Sequence, residues 1–313
     1  MKFKEMEIGK ENVAVVLLLT ITEKSCKNGK TYCDVTFSDG DEIITAKVWN
    51  YKKEVLLRGA EENTIVEGYF IPEIYHEAVS YVATRYFVYQ GDEYCMDDFV
   101  LHAPIDADAF FKHCFEAVDE ESIYGKITRA ILLENEDIIK QVAAAKGFHH
   151  TAKGGLLWHT GQMLLMGENI VPLLPLLNKD LFFAGIILHD IGKVKELSTD
   201  FIGETLYTEE GELCGHLYAG AEMVELKARE ILSDVEENRR EINLLKHIIL
   251  SHHGRKEFGS PEEPKIIEAM VLHHLDMIDS RYNMFELEYD KLNIGEFSDR
   301  KPALGNVHIL KHD

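Results

Sequence analysis

Between Val13 and Tyr89 the apolar residues follow strand-like patterns, and from Asp106 onward they recur at three- and four-residue spacing. Alternation and β-branched residues predict strands at Val13–Thr22, Thr31–Phe37, Glu42–Trp49, Asn63–Ile71 and Val79–Tyr89. Asn28-Gly29 and Ser38-Asp39-Gly40 mark turns between them. Five strands over so short a stretch predict a small barrel or sandwich, and the OB-like barrel is the commonest five-stranded form. The helical period predicts helices at Asp106–Val118, Glu121–Lys146, Leu156–Leu176, Lys179–Asp190, Gly215–Ser233, Asn238–His252 and Glu262–Arg281. The polar segment Ser198–Glu212 reads as a loop or a small hairpin. The fold class is therefore α+β, an N-terminal OB-like barrel followed by an all-α bundle. Its expected organisation is barrel 1–95, linker 96–105, helical domain 106–295 and a loosely held polar tail 296–313.

Composition narrows the class. With 313 residues, 46% hydrophobic and 28% charged, the chain can bury sizeable cores and is not intrinsically disordered. The apolar run Val13–Leu19 is far shorter than the roughly 20 residues that span a bilayer. Glu5, Glu7 and Glu11 before it are the wrong charge for a secretion signal. The expectation is a cytoplasmic protein with no membrane partner. Five cysteines, Cys26, Cys33, Cys95, Cys114 and Cys214, form no CxxC pair, which argues against disulfides and a thiolate zinc site. A net charge of −22 argues against a grip on duplex nucleic acid by bulk electrostatics, while leaving room for a local basic or metal-filled groove.

Histidine is the residue type that stands out: 15 in all, ten of them between His149 and His274. The apolar stretch Ala184-Gly185-Ile186-Ile187-Leu188 runs into His189-Asp190-Ile191-Gly192-Lys193. Adjacent helical positions point about 100° apart, so both side chains of the His-Asp pair can reach one pocket at the helix end. His159 lies upstream; His216, His252-His253 and Asp276 follow downstream. These positions fall on different predicted helices, which can converge their ligands in one bundle core. Imidazole offers a neutral nitrogen ligand, and a carboxylate can bridge two cations. A second His-Asp pair, His312-Asp313, has no such company and is read as chance.

The order His, His-Asp, His, His-His, Asp resembles the HD superfamily of metal-dependent phosphohydrolases in its two-metal form, over about residues 106 to 295. The resemblance implies that His159, His189, Asp190 and Asp276 hold one metal. Asp190 would bridge to a second, held by His216, His252 and His253, and Lys193 would stand beside the substrate phosphate. The stretches Ala143–His150, Gly154–His159, ILHDIGKVKELS and ILSHHG further resemble the YhaM family, which joins an OB-type domain to an HD domain. This likeness implies a 3′-to-5′ exoribonuclease that hydrolyses single-stranded RNA, and also single-stranded DNA, to 5′-mononucleotides. The expected nucleophile is a hydroxide activated by two divalent ions, with manganese first and iron, cobalt or zinc as alternatives. It also implies association into a homo-oligomer.

Substrate contacts are less sharply marked. Residues 1–100 hold 11 Lys and Arg against 18 Asp and Glu, so the barrel must hold a strand by aromatic stacking and local charge. Tyr32, Trp49, Tyr51, Tyr81 and Tyr86 are either stacking platforms or packing residues. Lys24, Lys27, Lys30, Lys52, Lys53 and Arg58 line a groove or a solvated face. Lys153 is a second cation for the phosphate, and His149 and His150 either touch substrate or belong to a surface turn. Two other readings stand beside the exonuclease: an HD phosphohydrolase of small nucleotides, and a non-catalytic single-strand-binding protein.

Overall fold

Five strands close into a barrel: β1 (Asn12–Ser25), β2 (Thr31–Ser38), β3 (Ile43–Trp49), β4 (Thr64–Tyr75) and β5 (Ala78–Val88). The order round it is β1-β2-β3-β5-β4, with β4 returning to β1 and β3 running parallel to β5, as in an OB barrel. In this computed structural model the described residues are 1–25, 31–49, 60–75, 78–144, 152–200 and 205–312. Closure removes exposed sheet edges. Long β1 serves two neighbours, pairing with β4 over Asn12–Leu18 and with β2 over Leu17–Ser25. A register shift between Leu18 and Thr20 bends it from one to the other. Alternation decides what is inside: Cys33, Val35 and Phe37 of β2 are buried, as are Ala46 and Val48 of β3 and Phe70 of β4. Tyr86, a potential stacking platform in the sequence, belongs to this core, its ring edge-on to Phe37 at 5.7 Å.

The first unit is built on Met1–His102, and the second comprises Ala103–Thr199 and Thr205–Asp313. In the second unit α1 (Ala107–Glu116), α2 (Ile123–Glu134), α3 (Glu136–Ile139), α4 (Gly155–Ile170) and α5 (Lys179–Leu188) lead to the short α6 (Lys193–Glu196). A hairpin of β6 (Leu197–Thr199) and β7 (Thr205–Tyr207) precedes α7 (Glu209–Ile231), α8 (Arg239–Ser251) and α9 (Ile267–Tyr289). Asp106, Ser122, Asn178 and Thr208 start helices by accepting a backbone N–H.

Several predicted boundaries move for local reasons. The continuous helix expected at Glu121–Lys146 is broken at Asn135, whose side-chain amide donates to the Ile131 carbonyl (2.8 Å). Pro264 delays the last helix, because proline disfavours helical geometry in the residue before it. Residues expected to form a loose tail are tied by the bridges Phe297↔Leu310 and Lys301↔Val307.

The centre of the unit is α5. Leu181 to Leu188 are all buried, so this helix is apolar on every side and packs against α2, α4, α8 and α9. Each large side chain buried there contributes about 1.5–3 kcal/mol, enough together to offset placing polar groups at the helix end.

Candidate metal centre

Helix ends carry the histidines. His189 follows the last residue of α5, and His252 the last of α8; both occupy the C-cap. The last carbonyls of a helix lack intrahelical donors. The Nδ1–H of His189 donates to the Ile186 carbonyl (2.7 Å), and that of His252 to the Ile249 carbonyl (2.8 Å). A carbonyl can only accept, so these contacts put the proton on Nδ1 and turn Nε2 away from each helix. The negative ends of two helices thereby face the place where a cation would sit.

His159, on α4, donates its Nδ1–H to Asp279 Oδ2 at 2.6 Å, and its Nε2 lies 3.2 Å from His189 Nε2. With both Nδ1 atoms protonated, two lone pairs meet unless a proton or a metal ion stands between them. Asp276 Oδ1 is 3.5 Å from His159 Nε2.

His216 follows Gly215, whose φ of 71° and ψ of 161° interrupt α7 in a region that only glycine occupies readily. Its backbone N–H and its Nδ1 both meet Glu196 Oε1 at 3.0 Å. Gly192 permits this approach, since a Cβ there would stand 2.0 Å from the His216 carbonyl oxygen.

Asp190 joins the two sides. Its Oδ2 is 2.7 Å from Lys193 Nζ and 3.4 Å from His189 Nε2, while its Oδ1 is 3.4 Å from His216 Nε2 and 3.5 Å from His252 Nε2. His253 sets its ring edge-on to that of His252 at 4.4 Å and tilted to that of His216 at 5.2 Å. Two donor groups result, His159 with His189 and Asp190, and His216 with His252 and His253. Their fit to metal ions is direct: Asp190 Oδ1, His216 Nε2 and His253 Nδ1 are buried with no hydrogen-bond partner. Buried polar atoms are rarely left so, and a nitrogen–oxygen donor set suits divalent transition metals.

The electrostatics favour cation binding. Burial works against charge on Asp190, but Lys193 and His189 beside it hold its carboxyl well below the usual carboxylate range. Burial likewise opposes ionisation of Asp276, and the imidazoles of His159 and His189 beside it keep its pKa low. Burial pushes His252 down to about 3, and lowers His253 as well, so both offer neutral nitrogens. Burial opposes charge on Lys193, yet Asp190 raises its pKa and keeps it an ammonium.

All eight residues expected at the metals and phosphate thus converge: His159, His189, Asp190, His216, His252, His253, Asp276 and Lys193. Lys153 stands in the turn before α4, its carbonyl accepting from Ala103 N–H at 2.9 Å. Tyr32 and Trp49 pair across β2 and β3 with rings 5.1 Å apart, and Lys47 lies 5.8 Å over the Trp49 ring. Tyr81 packs on Phe3 at 6.0 Å. Cys26, Lys27, Lys30, Tyr51, Lys52, Lys53, Arg58, His149 and His150 lie outside the described residues. Sequence reading missed Asp279 and Glu196; each lies three residues after a predicted site residue, Asp276 and Lys193, a spacing that puts it on the same helix face.

Residues 156–281 match the HD domain, so the His and Asp cluster lies within a domain type that uses divalent metal. Among the described residues no helix is long and apolar enough to cross a membrane. Along nearly the whole chain the protein is similar to curated relatives named 3′-5′ exoribonuclease YhaM. The relative from Shouchella clausii is 34% identical, covering 97% of this chain and 94% of its own length. Those from Bacillus subtilis and Oceanobacillus iheyensis are 33% and 32% identical, each over 97% of this chain and 96% and 95% of their own lengths. With a closed barrel before an HD domain, and likeness of this extent covering both, the chain belongs to the YhaM family.

Proposed function

We propose that this protein is a metal-dependent 3′-to-5′ exoribonuclease that hydrolyses single-stranded RNA, one nucleotide at a time, to 5′-mononucleotides. The observation that carries the reading is Asp190, whose two oxygens face two separate groups of histidines. His159, His189, Asp190 and Asp276 would hold one divalent ion; Asp190, His216, His252 and His253 would hold the other, with manganese the first metal to try. Bound there, the ions supply Lewis acidity for activating water at neutral pH and for stabilising charge on the phosphate oxygens. Lys193, 2.7 Å from Asp190 Oδ2, places an ammonium at the edge of the cluster, suited to a non-bridging phosphate oxygen. The ribose 3′-oxygen of the penultimate nucleotide is then the leaving atom. Lys153, on the approach to α4, is a second cation for the strand, with His149 and His150 in the same part of the sequence.

In this reading residues 1–95 hold the single strand and residues 106–295 cut it. The Tyr32–Trp49 pair with Lys47 above it supports stacking of bases together with local positive charge. Single-stranded DNA is a second expected substrate, the cytoplasm the expected location, and a homo-oligomer the expected state. The test is a 5′-labelled single-stranded RNA incubated with Mn2+ and either the native chain or Asp190→Ala. A ladder shortening from the 3′ end, lost in the variant and on chelation, is expected. An intact oligomer with turnover of free nucleotides would replace the proposal with a small-nucleotide phosphohydrolase.

A further inference from the structure

We infer that Asp279 and Glu196 are positioning residues, each dedicated to a different ion: Asp279 to the one held through His159, and Glu196 to the one held through His216. The inference rests on the two-ion reading and deepens it. A ligating imidazole must present one nitrogen as a lone pair, and its other nitrogen must be held as a donor. A buried carboxylate in that second position fixes both tautomer and ring orientation and makes the ligand more basic.

The four histidines that follow this rule do so in two ways. His189 and His252 use carbonyls of their own helices, which come with the helix end. His159 and His216 lie within or at the start of a helical segment, where no free carbonyl is at hand, and use carboxylates from other elements. His159 Nδ1 is 2.6 Å from Asp279 Oδ2, with side chains 1% and 9% exposed. His216 Nδ1 is 3.0 Å from Glu196 Oε1, with side chains 13% and 11% exposed. Glu196 also accepts the backbone N–H of His216 at 3.0 Å, beside the glycine that breaks the helix. It therefore holds the turn as well as the ring. Each carboxylate meets the Nδ1 of its histidine while Nε2 faces the cluster, so each acts on the metal through that histidine.

The test is a titration of the full metal-free chain with Mn2+, following free Mn2+ by electron paramagnetic resonance, for native protein, Asp279→Asn and Glu196→Gln. Both variants keep the shape of the side chain and remove its charge. Circular dichroism and thermal unfolding in chelator establish that each is folded. The native chain is expected to bind two ions. Each variant is expected to lose roughly 10–100-fold in affinity at one step only. In the double variant both steps weaken. To assign the steps, the titration is repeated in His253→Ala, which lacks a ligand of the His216 side; Asp279→Asn should still weaken the remaining ion there, and Glu196→Gln should not. Unchanged affinity, or an equal loss at both steps in each single variant, overturns the inference. Uptake of a single ion by the native chain sinks the two-ion reading instead, and Asp279 is then judged by whether that ion weakens. If the native chain binds no Mn2+, both fall.

Discussion

In the barrel, the residues suited to binding stand outside: Trp49 is 48% exposed and Tyr75 62%, with Lys47 within 5.8 Å of both rings. In the helical unit the opposite holds, and His159, His189 and His252 are no more than 1% exposed. An exposed aromatic ring loses little by waiting for a partner. A buried histidine or carboxylate has given up its water and must recover the loss from neighbours. The helical unit therefore gives the site's histidines carbonyl and carboxylate partners, and leaves Asp190 Oδ1, His216 Nε2 and His253 Nδ1 without one, where a cation would satisfy them. The contrast separates two kinds of candidate site, one costly to bury and narrowly specified by its neighbours, the other inexpensive and open to water.

The largest effect is expected from Asp190→Ala, which removes a carboxylate whose two oxygens face the two histidine groups. RNA hydrolysis is expected to fall by at least about 10³-fold, comparable to removing a key electrostatic group from an active site. Binding of single-stranded RNA, followed by fluorescence anisotropy, should change little. Loss of binding in parallel with activity would show that the metal centre, rather than the barrel, holds the strand.

Next in size is Lys193→Met, expected to lower kcat by about 10²-fold with a smaller change in KM, measured on one short labelled RNA. A change confined to KM would move Lys193 from the reacting phosphate to ground-state binding. On the other side of the comparison, Trp49→Ala is expected to weaken single-strand binding by about tenfold, since stacking on one aromatic ring contributes about 1–3 kcal/mol per base. The measurement is best made in the Asp190→Ala background, where the strand is not consumed. An unchanged affinity would return Trp49 and Tyr32 to simple packing.

The smallest effect concerns stability away from both sites. Lys246, foremost, with Arg239 and Arg229, holds the Glu225 carboxyl at about 2, against an ordinary value of 4.5. A lowered folded-state pKa stabilises above the unfolded value and loses that contribution as pH falls toward the folded one. Glu225→Gln should therefore cost roughly 1–2 kcal/mol near pH 7, after allowing for solvent screening, and much less near pH 2. Denaturant unfolding at both values checks this; an equal cost at both would mean that shape rather than charge matters at this position.

Much of this architecture was legible without coordinates. The change of period near Asp106 separated a strand-rich segment from a helical one because alternation and the 3.6-residue repeat are set by backbone geometry alone. The candidate metal ligands were legible for a chemical reason: histidine is infrequent, and His-Asp at the end of an apolar helix, with further histidines on neighbouring helices, suits ligation. Asp279 and Glu196 were hidden because they are two among 55 acidic residues. Only packing brings one of them to a His159 that lies 120 positions away. The same limit applied to Tyr86, since aromatic residues in a strand look alike whichever face they take.

By itself, then, the sequence determined the order of a barrel and a helical bundle and the set of side chains able to bind metal. Those depend on local periodicity and on residue chemistry. Tertiary structure alone decided which oxygen of Asp190 faces which histidines, which nitrogen of each ring is free, and which aromatic rings remain in water. These are properties of distance and burial between residues far apart in the chain, and no local pattern encodes them.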